Sequence, residues 1–178
     1  MRSATELLVQ YAHYHRDRRN IATHFIGIPM IVFAVGVLLA RATFEVAGIT
    51  FTAGWAAAGM ATLWYLTRGR LDLGLAVSAV TLGLVALAHE AASGSIGEWL
   101  AWGLGFFVVG WVLQFIGHYY EGRKPAFVDD LVGLLVGPMF VMAEALFAIG
   151  WGRSLREEIE RQAGPTHIRD LKQPAAAR

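Results

Sequence analysis

A chain of 178 residues with 56% hydrophobic and 16% charged residues is long enough for one domain and greasier than soluble domains, which average about 45–50% apolar and about 25% charged. Its mean hydropathy of +0.47, with charge gathered into a few clusters, reads as an integral membrane protein. A net charge of +1 gives no case for nucleic acid, and the lack of cysteine excludes disulfides, thiolate-bound zinc, iron–sulfur clusters and a thiol nucleophile.

Residues 3–18 predict an amphipathic helix lying at a membrane surface. Ser3 and Glu6 have capping-box spacing, and Leu7, Leu8, Tyr11, Tyr14 and His15 share one face. The first apolar run begins near residue 21 and lacks the layout of a cleavable secretory signal, so the mature N-terminus is expected at or near Met1. Four apolar segments, residues 21–40, 50–66, 71–88 and 99–117, have with their flanks the length of about 17–25 residues that a spanning helix needs. Gly36, Gly59, Gly74, Gly83, Gly103 and Gly105 would let such helices approach closely, and Trp55, Trp64, Trp99 and Trp102 lie towards segment ends, as in an aromatic belt. A fifth segment, residues 131–151, contains Gly137-Pro138 and Glu144; it is either a kinked span or two half-helices that turn back. From Arg153 the chain is charged and helical until Gly164-Pro165, and its last residues are expected to be disordered.

The expected fold is therefore all-α: an integral membrane helical bundle of four spans, a kinked or re-entrant fifth segment and an N-terminal amphipathic helix. Residues 1–152 would form one membrane-embedded catalytic domain and residues 153–178 a cytoplasmic tail. Four crossings place the N-terminus and the end of the fourth span on one side, with Arg2, Arg16, Arg18, Arg19, Arg68, Arg70, Arg123 and Lys124. The other side carries Arg41 before the tail, so the first side is cytoplasmic. A fifth full crossing would put the basic tail on the wrong side, which favours the turned-back form.

The same parity gathers histidines. His24 opens the first span, His15 is close enough to fold over it, and His118 ends the fourth span with Glu121 one turn further on the same face. Histidines with a carboxylate and no thiol are the ligand chemistry of non-haem Fe(II), manganese or catalytic zinc, and Asn20 could orient a ligand through a hydrogen bond. The competing reading is of helix-end histidines bonded to headgroups or backbone. His89 falls on the far side and His167 in the tail. Arg16, Arg18 and Arg19 read as a membrane anchor, with attraction of a fatty carboxylate as the sharper alternative. Glu144, a carboxylate in an apolar run, is either functional or a hydrogen-bonded structural group.

The pattern Tyr11-x₃-His15-x₄-Asn20-x₃-His24-x₂-Gly27-x-Pro29 resembles the opening of the Mpo-like family of membrane proteins. A second block, Trp111-x₂-Gln114-Phe115-Ile116-Gly117-His118-x₂-Glu121-Gly122-x₂-Pro125-Ala126, is similar to that family's second signature, and the resemblance runs from about Tyr11 to Trp151. It implies a non-haem Fe(II) dioxygenase that shortens 2-hydroxy fatty acids by one carbon with O₂, an α-oxidation. It further implies His15, His24 and His118 as metal ligands, Glu121 as a fourth ligand or base, and Asn20 as its companion in the catalytic group. Arg19, Tyr11 and Gln114 would contact substrate. His13 and His89 stand outside the motifs. The partners implied are the hydroxy acid, O₂ and membrane lipid. The short chain, rich in Ala, Gly and Arg, points to a bacterial inner membrane with a cytoplasmic N-terminus; in a eukaryote the membrane would be that of the endoplasmic reticulum.

Other chemistries fit less well. Six histidines without an HxxHH motif do not make a membrane di-iron desaturase. A b-type haem between His24 and His118 would show a Soret band. A small transporter would keep its polar groups at the midplane, where here only Glu144 and Gly137-Pro138 stand. A non-enzymatic lipid-interacting protein would not need the three histidines together.

Overall fold

The computed structural model describes residues 2–172. Helix α1 (Ala4–Ala12) starts with the capping box expected: Ser3 Oγ accepts from the Glu6 N–H, and the Glu6 carboxylate accepts from the Ser3 N–H. It is shorter than residues 3–18. The Tyr14 and His15 N–H groups donate to carbonyls three residues back, on Tyr11 and Ala12, which tightens and ends the helix. Leu7, Leu8 and Tyr11 are buried against helices α7 (Gly133–Ala148) and α8 (Arg153–Ala163), not laid on an external surface.

Helix α2 (Arg18–Ala40) is capped by Asp17, whose carboxylate accepts from the Arg19 N–H. An antiparallel hairpin follows, β1 (Thr43–Val46) with β2 (Ile49–Thr52), pairing Phe44 with Phe51 and Val46 with Ile49. Ala47 and Gly48 turn it at φ 53° and 80°, the two positive values that a type I′ turn requires. Residues 50–52, expected to begin the second span, are thus strand. Helix α3 (Ala53–Leu66) keeps 14 residues, about 21 Å at the usual rise against a hydrocarbon core of about 30 Å.

Three helical runs are long and apolar enough to cross a membrane among the described residues: Arg18–Ala40, Leu71–Ala91 (α4) and Ile96–Glu121. The last comprises α5 (Ile96–Leu100), a π-helical turn (Ala101–Gly105) and α6 (Phe106–Glu121). The four expected spans are therefore three, or four if α7 and α8, which meet at 117°, count as one broken span. The approach to α7 is fastened to the α1 end by Tyr14 Oη donating to Asp129 and by the Arg2–Asp130 ion pair. Past its other end, Trp151 lies under the Arg70 guanidinium, beside Arg68, whose carbonyl accepts from the Ala4 N–H. Both ends of α7 thus lie near α1, yet α7 is one continuous helix with Pro138 inside it and not two half-helices; with α8 it forms a broken span or a re-entrant loop.

The tightest helix pair is α2 with α6, and glycine makes it so. A Cβ on Gly27 would lie 2.8 Å from the Gly110 carbonyl oxygen, and one on Gly110 would lie 3.0 Å from that of Gly27. Neither was among the glycines expected to let helices approach, Gly27 having been named only as a position of the first motif. Of those that were, Gly59, Gly83 and Gly105 face open space, whereas Gly36, Gly74 and Gly103 are packed. The close approach of α2 and α6 brings His24 and His118 to one place. α8 buries Leu155 and Ile159. After the break at Gly164 the chain docks on residues 16–19, with an isolated bridge between Asp17 and His167. The disorder expected for the last residues falls on 173–178, outside the described residues.

Candidate metal centre

His15 lies on the loop between α1 and α2, His24 in the second turn of α2 and His118 in the last turn of α6. One ligand atom from each imidazole lies within 4.8 Å of the others, and the three residues are 0%, 1% and 6% exposed. Their backbones fix their protonation. His15 Nδ1 is 2.7 Å from the Tyr11 carbonyl oxygen and His24 Nδ1 is 2.9 Å from that of Asn20. A carbonyl only accepts, so Nδ1 carries the hydrogen in both rings and a neutral ring keeps a bare lone pair on Nε2. Those two Nε2 atoms face each other at 3.0 Å.

Two bare acceptors at that distance in a buried place repel unless a cation lies between them. Two nitrogens each about 2.1 Å from one metal and at roughly right angles would be about 3.0 Å apart, so the pair fits a shared ion. His118 Nδ1 is buried with no hydrogen-bond partner. Burial, with the His24 and His118 rings beside it, pushes the His15 pKa well below its ordinary value, which keeps its lone pair free. Tyr11 stacks flat on His15, ring centroids 4.0 Å apart and planes at 3°, and Phe140 packs on both rings.

Glu121, expected as a fourth ligand or base, stands outside this group. Its carboxylate accepts from the Arg16 N–H (3.0 Å to each oxygen), the Asp17 N–H (2.8 Å) and Asn20 Nδ2 (3.1 Å). It fastens the His15 loop to the end of α6. Asn20 does orient a ring, but through its backbone carbonyl on His24; its side chain bridges Glu121 and the Tyr14 carbonyl.

Arg16, read as an anchor, is 5% exposed. Its Nε donates to the Ala12 and His15 carbonyls, and its Nη2 lies 3.5 Å from Glu144, so Glu144 is paired inside the protein. Asp17 is wholly buried; burial would raise its pKa, but hydrogen bonds from Arg19 and the Arg169 N–H hold it at about 2. The Arg19 fork lies on Asp17 and over the Tyr120 ring, and Arg19 is not among the residues that line the cleft.

Tyr11 and Gln114 do line the cleft, with His24, His118, Ile28, Ile31, Trp111 and Pro138. It has a volume of about 70 Å³ and runs from the imidazoles between α2, α6 and α7. Gln114 Nε2 is buried there without a partner. Sequence reasoning missed Asp17, Phe140 and the apolar walls; only Asp17, preceding a helical run at N-cap position, carried a local signal.

A bundle with helices long and apolar enough to cross a membrane thus holds at one end three buried imidazoles that could bind a metal, at the head of an apolar cleft. The chain belongs to the family described as 2-hydroxy-palmitic acid dioxygenase Mpo1-like, matched over residues 1–65 and 71–149. The 2-hydroxy-palmitic acid dioxygenase MPO1 of Saccharomyces cerevisiae is 31% identical over 153 residues, covering 84% of this chain and 83% of that protein. No solved structure matches the chain.

Proposed function

We propose that this protein is an iron(II)-dependent dioxygenase of the membrane that shortens 2-hydroxy fatty acids by one carbon. The observation that carries the reading is the pair of bare Nε2 atoms on His15 and His24, 3.0 Å apart beside His118, at the mouth of an apolar cleft. His15, His24 and His118 would hold the ion. Bound there, iron(II) supplies the redox chemistry that lets dioxygen react with the substrate.

The chain's own residues bind and orient. Ile28, Ile31, Trp111 and Pro138 receive the alkyl chain, whose remainder runs out along the exposed apolar faces of the helices. Gln114 Nε2, a buried donor without a partner, meets an oxygen of the acid head. Tyr11 and Phe140 hold the His15 ring and keep water from its edge. The overall change balances with dioxygen as sole oxidant. The C1–C2 bond breaks, C1 leaves as carbon dioxide and C2 becomes the new carboxyl; the four electrons released reduce both atoms of dioxygen, one ending in the carbon products and the other in water.

Arg2, Arg68, Arg70, Arg123 and Lys124 lie at the same end as the imidazoles, which under the positive-inside rule supports a centre at the cytoplasmic face. The test is detergent-purified protein loaded with Fe(II) without oxygen, then given 2-hydroxyhexadecanoic acid and O₂. Pentadecanoic acid is expected; unchanged substrate, or a product of unchanged chain length, contradicts the reading.

A further inference from the structure

The His15 loop has no regular structure of its own, yet a metal ligand must be held within about 0.5 Å of its working position. Glu121 holds one side of this loop. The other side is held by residues 164–170, past residue 149, where the family match ends. His167 N–H donates to the Arg16 carbonyl and the Arg18 N–H donates to the His167 carbonyl, both at 2.9 Å. Arg169 N–H donates to Asp17 Oδ2 and Arg19 Nη2 to the Arg169 carbonyl, both at 2.8 Å.

Arg169 then reaches from this loop to the other ligand-bearing element. Its Nε donates to the Tyr120 carbonyl at 3.1 Å, two residues after His118. Gly122, at φ 72°, leaves the space; a Cβ there would collide with the Arg169 guanidinium. Segment 164–170 is therefore a strap tied at once to the residues following His15 and to the turn following His118.

We infer that His167 and Arg169 are positioning residues for the metal centre, setting the His15 loop against the end of α6. This rests on the metal reading above. The test is cobalt(II) titration of the full-length protein, wild type beside His167→Pro, Arg169→Ala and Arg169→Lys, read by affinity and by the cobalt absorption spectrum. His167→Pro deletes the N–H that donates to Arg16; Arg169→Lys keeps a donor able to reach Tyr120. The first two variants are expected to bind cobalt about 10–100-fold more weakly with an altered spectrum, and Arg169→Lys to recover part of the loss. Hydrogen exchange should quicken at residues 14–18 and stay unchanged in α3 and α4.

Should His167→Pro lose protection throughout α3 and α4, the Arg169 pair decides. Wild-type affinity and spectrum in both His167→Pro and Arg169→Ala would overturn the strap's role while leaving the metal centre standing. A wild type that takes up no cobalt would overturn the centre, and the strap's role with it.

Discussion

Three histidines place Nδ1 on the carbonyl four residues back: His15 on Tyr11, His24 on Asn20 and, at the far end of the bundle, His89 on Val85. What differs is the other nitrogen. His89 Nε2 accepts from Thr52 Oγ1 at 2.7 Å and its ring stacks on Trp55, so His89 is satisfied and structural. The Nε2 atoms of His15 and His24 face only each other across 3.0 Å. The unsatisfied nitrogen, not the residue type, marks the candidate ligand. Arginine repeats the lesson: Arg41 lies on the Ala92 and Ser95 carbonyls at the far end, while Arg16 is buried between α1, Glu144 and the strap.

The largest effect that could break this comparison comes from the histidines themselves. His24→Ala should abolish metal binding and turnover, whereas His89→Ala should leave both intact; equal loss in the two would erase the distinction between the ends. Next is the response to metal. Adding Fe(II) at 100 times its dissociation constant should stabilise the wild type by about 2.7 kcal/mol, read as a rise in unfolding temperature that a chelator reverses. Metal-free His24→Leu should be at least as stable as the metal-free wild type, because the facing lone pairs go with the ring.

Glu121→Gln separates a fastener from a ligand. It keeps one acceptor but loses charge-assisted bonds to two backbone N–H groups, so about 1–3 kcal/mol of stability should go, with metal bound more weakly but at unchanged stoichiometry. Loss of stoichiometric metal would make Glu121 a ligand. Gln114→Leu should raise KM for the hydroxy acid several-fold at unchanged metal content. The smallest effect is expected at the far end: Phe44→Ser, in the exposed hairpin, should shift stability by about 0.5 kcal/mol or less and leave metal affinity unchanged.

The imidazole cluster was legible in the sequence because helix-end positions and an even number of crossings fix which residues share a side, whatever their separation. The grouping holds although α3 is too short to count as a span, since the chain still returns to the α1 end at Arg68. The hairpin was not legible. Its Ala47-Gly48 turn lacks the Asn-Gly or Asp-Gly signal, and the alternation of Ile49–Thr52 merges into the apolar run that follows. Glu121 was placed on the face of His118 by helical period, but period says nothing of the backbone amides that its carboxylate meets 104 and 105 residues away. Arg16 was misread for a like reason: its partners Glu144 and Gly164 lie 128 and 148 residues on, beyond what local composition can reveal.

Metal content tests the three-histidine centre most directly. Elemental analysis of the detergent-purified wild type beside His118→Ala should find stoichiometric iron in the first and none in the second, with the same helical content in both. No metal in the wild type even after anaerobic Fe(II) loading, or equal metal in the two proteins, would contradict the assignment of His15, His24 and His118 as the centre.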